Sequence, residues 1–83
     1  MYYLLICRSL THAQRTVKQL EKSGITAVVS RAPQELLPEG CGYCVKVSGR
    51  KYEQVRKALT RSDLMPERVF VHYEDGRTAE AEL

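Results

Sequence analysis

Two segments of helical periodicity alternate with four apolar segments of strand length, and this order limits the folds open to the chain. Apolar residues recur every three to four positions in residues 11–22 and 51–61, which is typical of amphipathic helices. The strand-like segments are residues 2–7, 25–30, 43–48 and 68–73. The predicted order of elements is therefore β-α-β-β-α-β.

This order predicts an α+β fold of the ferredoxin-like type. Right-handed crossovers place both helices on one face of a four-stranded antiparallel sheet, with the first and third strands as its central pair. The 83 residues suffice for one domain, which we assign to residues 1–75. Residues 76–83 are polar with no core face, so we expect a frayed tail.

The helix ends carry local signals. Thr11 and Gln14 have the spacing of a capping box, and Ser9 is an alternative N-cap. Gly24 suits the left-handed position that follows a helix. After Pro33, residues 34–37 could form a short helical turn before a glycine-rich loop.

Composition limits the environment and the partners. The longest apolar run, residues 2–7, is too short to cross a bilayer and lacks the features of a signal peptide. Three cysteines are too few, and odd in number, for a disulfide-stapled secreted domain. We therefore expect a cytoplasmic protein with no membrane partner. The net charge of +3 permits an acidic partner without requiring nucleic acid.

The thiol pair Cys41-Gly42-Tyr43-Cys44 is the sharpest chemical feature of the sequence. In the predicted topology the first strand ends where the third begins, so Cys7 should lie at the same end of the sheet as Cys41 and Cys44. Gly40 and Gly42 flank Cys41 and remove side-chain cover from it. We therefore expect an accessible Cys41.

The start of the first helix belongs to the same end of the sheet, with Arg8 and His12 on the rim. A helix N-terminus and a nearby cation favour the thiolate form of cysteine, which is the nucleophile. Cys7, at the end of a central strand, is better explained as a core residue. Cys7, Cys41, Cys44 and His12 could together form a zinc site, but a histidine on a first helical turn is more often solvated. We predict neither a metal nor a cofactor.

Two binding alternatives stay open. RNA-binding domains of the same topology stack bases on aromatic residues of the central strands. Here the middle of the third strand is Val45-Lys46-Val47, which offers no aromatic residue. The basic residues are distributed over the helices, where they are explained as solvent-exposed helix faces. Nucleic acid is therefore not the favoured partner. An apolar open sheet face could instead make the protein an interaction module or a homodimer. The candidates for that face are Tyr3, Leu5, Val28 and Phe70.

Five segments carry a family resemblance: Tyr2-Tyr3-Leu4-Leu5-Ile6, Arg8-Ser9, Thr11-His12-Ala13, Ser23-Gly24-Ile25, and Pro33-Gln34-Glu35-Leu36 ahead of Cys41-Gly42. Through these segments the chain resembles the selenium/sulfur carrier-like family of small bacterial proteins. The similarity extends over nearly the whole chain, to about Tyr73. Two positions depart from the family pattern. Cys44 stands where the family more often has a small or apolar residue, and Cys7 stands where an aromatic residue is common.

The resemblance implies that Cys41 holds sulfur or selenium as a persulfide or selenosulfide. It implies a donor or acceptor protein as partner, and a carrier rather than an enzyme with turnover. Only Cys41, with Gly42 after it, is carried over from the resemblance as a functional position; apart from it, our own hypothesis is that Cys44 could resolve the adduct by attack.

Overall fold

The computed structural model describes residues 1–33 and 42–82, which form one antiparallel sheet and two helices. Its elements are β1 (Tyr2–Cys7), α1 (Leu10–Lys22), β2 (Ala27–Arg31), β3 (Tyr43–Ser48), a short 3-10 turn (Gly49–Lys51), α2 (Tyr52–Ser62), β4 (Arg68–His72) and β5 (Thr78–Ala81). The predicted helical turn at residues 34–37 lies outside the described residues.

The sheet has the order β2-β3-β1-β4-β5. Every neighbouring pair is antiparallel, and β1 lies between β3 and β4. The predicted α+β class, helix order and central β1–β3 pair are therefore confirmed. The prediction of a strictly four-stranded ferredoxin-like sheet is wrong, because β5 adds a fifth strand at the edge beside β4.

The prediction of a frayed tail is wrong for Thr78–Ala81. A turn with Gly76 in the left-handed region (φ 91°) reverses the chain after β4. The Tyr73 N–H donates to the Arg77 carbonyl at 2.8 Å and closes the hairpin. A polar strand of this kind is stable at a sheet edge because one of its faces is solvated. The lack of a continuous apolar face in residues 78–81 therefore does not indicate disorder.

The main core lies between the helices and one face of the sheet. That face includes Leu5, Val45 and Val47, which form one buried cluster with residues of α1 and α2: Ala13, Leu20, Val55, Ala58 and Leu59. The alternation of β1 places Tyr3 and Leu5 on this side, with the Tyr3 ring 4.7 Å from that of Tyr52 on α2. The placement of Tyr3 and Leu5 on an open face is therefore wrong.

The opposite sheet face holds a smaller cluster with no helical member among the described residues. It consists of Leu4, Ile6, Cys44 and Phe70, each at most 8% exposed. Val28 is 57% exposed and faces the same side as Cys44, in keeping with its predicted position.

The ends of α1 explain its placement. Ser9 is the N-cap, and its hydroxyl accepts from the His12 N–H at 3.1 Å, so the alternative cap is the correct one and Thr11 lies inside the helix. At the other end Gly24 has φ 77°, as predicted. Its N–H donates to the Glu21 carbonyl, while the Ile25 N–H donates to the Leu20 carbonyl. These two bonds form a Schellman motif, which directs the chain back into β2.

Candidate functional site

The candidate site lies at the end of the sheet where β1 finishes and β3 begins. Cys7 is the register partner of Tyr43, and Ile6 is the partner of Cys44, so these two thiols are diagonal neighbours on adjacent strands. Helix α1 starts three residues after Cys7. The prediction that Cys7, Cys44 and the start of α1 share one end of the sheet is confirmed.

The two described thiols lie on opposite faces of the sheet. Cys7 belongs to the cluster beneath the helices, whereas Cys44 belongs to the cluster on the other face. Side chains on opposite faces of a sheet point away from each other, so Cys7 and Cys44 are not placed to form a disulfide. The antiparallel pairing of β1 and β3 brings the two cysteines to one end of the sheet, and the pleat places their side chains on opposite faces.

Cys7 is a core residue, as predicted, with no exposed surface. Its Sγ lies 3.8 Å from the Leu5 carbonyl oxygen. Burial raises the pKa of this thiol, and the neighbouring hydroxyl of Thr16 opposes the shift without cancelling it. Cys7 is therefore held as a neutral, inaccessible thiol.

Cys44 is also buried, with 1% of its surface exposed. Its Sγ lies 3.2 Å from the Ser30 Oγ on β2 and 3.8 Å from the Arg31 carbonyl oxygen. Ser30 and Cys44 are register partners, which is why their side chains meet. The sequence does not identify Ser30 as a neighbour of Cys44, because the residues of β2 and β3 that pair with each other cannot be read from the length of the connection between the strands.

Cys41 and Gly40 lie outside the described residues, so the predicted exposure of this thiol stays a prediction. The next described residue is Gly42, which is buried and whose carbonyl accepts from the Ala32 N–H at 3.1 Å. This bond extends the β2–β3 pairing by one step beyond Tyr43. The backbone of Gly42 is therefore held at the Cys7 end of the sheet.

The rim residues differ in their surroundings. Arg8 is exposed and forms no ion pair with a described residue. His12 is half-buried rather than solvated, and its Nδ1 is fully covered, with no hydrogen-bond partner among residues 1–33 and 42–82. An unpaired buried nitrogen has an unmet capacity to bond an incoming group.

Metal ligands are not assembled in the part of the chain that the structure describes. Residues 1–33 and 42–82 contain no group of three or more His, Cys, Asp or Glu side chains able to hold an ion. The possible zinc set depended on Cys41 and on two thiols that the pleat now places on opposite faces. The same described residues include no helix with the length and apolar character needed to span a bilayer.

Comparison with known proteins gives one match. No curated protein and no solved structure matches the chain. A family model described as "Putative Se/S carrier protein-like" matches residues 2–71, which run from the first residue of β1 into β4 and include both members of the Cys41/Cys44 pair. Since the match covers most of the chain, the protein belongs to this selenium/sulfur carrier-like family.

Proposed function

We propose that the protein carries sulfur or selenium on Cys41, as a persulfide or selenosulfide, between a donor and an acceptor protein. The observation that supports this assignment is the burial of the other two thiols. Cys7 and Cys44 are 0% and 1% exposed, so neither offers its sulfur to another protein. Within a family described as carrier-like, Cys41 is then the cysteine left to hold the cargo.

Loading is a sulfur transfer without net oxidation. The Cys41 thiolate attacks the outer sulfur of a donor persulfide, a bond forms between Cys41 Sγ and that sulfur, and the donor's S–S bond breaks. The donor leaves as a thiolate that takes up a proton. A donor with selenium in the outer position reacts in the same way. Arg8 and the start of α1 would favour the anionic form of the attacking sulfur.

Cys44 is the proposed resolving thiol. Its thiolate attacks Cys41 Sγ, the bond between Cys41 and the cargo breaks, and hydrosulfide or hydroselenide leaves as the Cys41–Cys44 disulfide forms. An external dithiol then reduces that disulfide. Burial beside Ser30 suits this role, since it shields Cys44 from other proteins while Cys41 is three residues away in the chain.

The test is mass spectrometry of the intact protein after incubation with a cysteine desulfurase and cysteine. We expect one added sulfur atom on the wild-type protein and none on Cys41→Ser. Cys44→Ala should accept sulfur but release it more slowly as sulfide. Absence of added mass on the wild-type protein, with a donor that loads a known acceptor, would contradict the carrier function.

A further inference from the structure

Two cavities lie on the helical layer, along the junction of α1 and α2. The first, of about 290 Å³, is lined by α1, by the last residue of α2 and by the chain that follows it: Arg15, Lys18, Gln19, Lys22, Ser62 and Leu64. The second, of about 180 Å³, is lined by Ser23, Gln54, Lys57, Ala58 and Arg61. We call these cavities together the interhelical groove.

Five cations line the interhelical groove, and the helical repeat explains their alignment. Arg15, Lys18 and Lys22 are spaced by three and four residues on α1, so they form one stripe. Lys57 and Arg61 are spaced by four on α2 and form a second stripe. The two helices pack against each other, which brings both stripes to the same junction.

The groove cations are not neutralised within the described residues. The four ion pairs there join the N-terminus to Glu74 and three arginines to carboxylates, and none includes a groove cation. On the same elements Glu53 is already paired with Arg56, while Glu21 and Asp63 are the remaining carboxylates. The five cations of the groove therefore outnumber the two carboxylates, Glu21 and Asp63, that are near them in sequence and could neutralise their charge.

Positive charge is concentrated in the helical layer. Residues 10–22 and 49–63 hold eight Lys or Arg and three Asp or Glu, whereas the rest of the chain holds five and seven. The helical segments are therefore more positive than the whole chain, and the remainder is net negative. An uneven charge of this kind orients a protein toward an oppositely charged surface during encounter.

We propose that the interhelical groove is a docking surface for an acidic segment of a partner protein. Its lining supplies cations together with the side-chain amides of Gln19 and Gln54, which suit carboxylates and peptide groups. The described residues of the lining include no aromatic side chain on which bases would stack, so a protein fits better than a single-stranded nucleic acid. The proposal extends the carrier function, because a carrier must be recognised by its donor.

The test measures binding of a fluorescent poly-glutamate peptide by anisotropy, with an RNA oligonucleotide of equal charge as the competing probe. A groove variant combines Lys18→Gln, Lys22→Gln and Arg61→Gln. A control variant with the same net charge combines Arg31→Gln, Arg50→Gln and Arg77→Gln, all exposed and outside the groove. Thermal unfolding of both variants establishes that they are folded.

We expect the wild-type protein to bind the peptide, with affinity that falls as salt is added. The groove variant should bind at least about tenfold more weakly, and the control variant within about threefold of wild type, since close charges contribute more than distant ones. Equal weakening in both variants, tighter binding of the RNA than of the peptide, or no binding of the peptide at low salt would each overturn the proposal. Failure of Cys41 to take sulfur from inorganic polysulfide would contradict the carrier function and leave this binding result unchanged.

Discussion

The thiols of Cys7 and Cys44 show how position in a pleated sheet decides what a cysteine can do. One residue of register separates them, yet Cys7 packs under the helices and Cys44 packs on the other face beside Ser30. Both are covered, and neither is available to a second protein. The burial of these two thiols supports the proposal that assigns the cargo to Cys41.

Cys7 should make the folded protein less stable at alkaline pH. Burial raises the pKa of its thiol, so the unfolded chain loses this proton first as the pH rises above about 9. The free energy of unfolding should therefore be constant below the pKa that the Cys7 thiol has in the unfolded chain. It should fall as the pH rises from that value toward the higher pKa of Cys7 in the folded protein. Denaturant unfolding at pH 7 to 10.5 measures this effect.

The control is Cys7→Ala, which should cost about 1 kcal/mol at neutral pH through the lost sulfur contacts and should show a shallower alkaline decline. The pKa of Tyr3 is also raised by burial, but this contribution is the same in both proteins. Parallel curves for wild type and variant would show that Cys7 does not titrate differently in the folded state.

At the scale of elements, the ends of the two helices form a matched pair. Gly24 follows α1 with φ 77°, and Asp63 ends α2 with φ 55°. In both, the next residue donates its N–H to a carbonyl five positions earlier, Ile25 to Leu20 and Leu64 to Leu59. The left-handed conformation suits glycine and strains residues with a Cβ.

We therefore expect opposite effects from opposite substitutions. Gly24→Ala should lower the free energy of unfolding by about 1 kcal/mol, although an added Cβ would meet no neighbouring atom, because the cost is conformational. Asp63→Gly should raise it by about 0.5–1 kcal/mol. Urea unfolding checks both, and a destabilising Asp63→Gly would mean that the aspartate has a local contact worth more than the strain.

Strand β5 gives a third prediction. A chain that ends at Arg77 loses the β4–β5 pairing and the packing of Ala81 against the core. It should unfold at a free energy lower by about 1–3 kcal/mol, since several ladder hydrogen bonds of about 0.5–1.5 kcal/mol each are lost and partly replaced by water. Glu80→Gln, which removes the exposed pair with Arg68 but keeps the strand, is the control and should change stability little. Equal stability of the shortened and full chains would show that β5 is not an integral strand.

The sequence predicted the elements better than it predicted the faces. Order, helix ends and the central β1–β3 pair follow from periodicity, glycine and polar caps. The sequence does not show which residues of β1 face the helices, because Tyr2 to Cys7 includes no charged residue to mark the solvent-exposed side. The prediction that Tyr3 and Leu5 lie on the open face is wrong for this reason. Strand β5 did have a signal, since Asp75-Gly76 is typical of a hairpin turn, but its polar residues resemble a tail. The contact between Ser30 and Cys44 depends on a register that the sequence does not display.

At the scale of the whole molecule, the sheet and the helical layer have separate roles in this account. The antiparallel centre of the sheet places the start of β3 at the end of the sheet where β1 finishes and α1 follows. The helical layer concentrates positive charge along the junction of α1 and α2. A small carrier needs both a thiol for cargo and a surface that partners recognise, and the fold can supply them from different elements.

The most direct measurement of the central claim is the location of transferred sulfur in variants that isolate one thiol from the others. The double variant Cys7→Ala with Cys44→Ala keeps Cys41 alone, and Cys41→Ala keeps the two buried thiols. Each is incubated with a persulfide donor, alkylated, digested and mapped by mass spectrometry. We predict an added sulfur atom on Cys41 in the double variant and no transfer to Cys41→Ala. Transfer to Cys7 or Cys44 in Cys41→Ala, at the rate seen for the double variant, would contradict it.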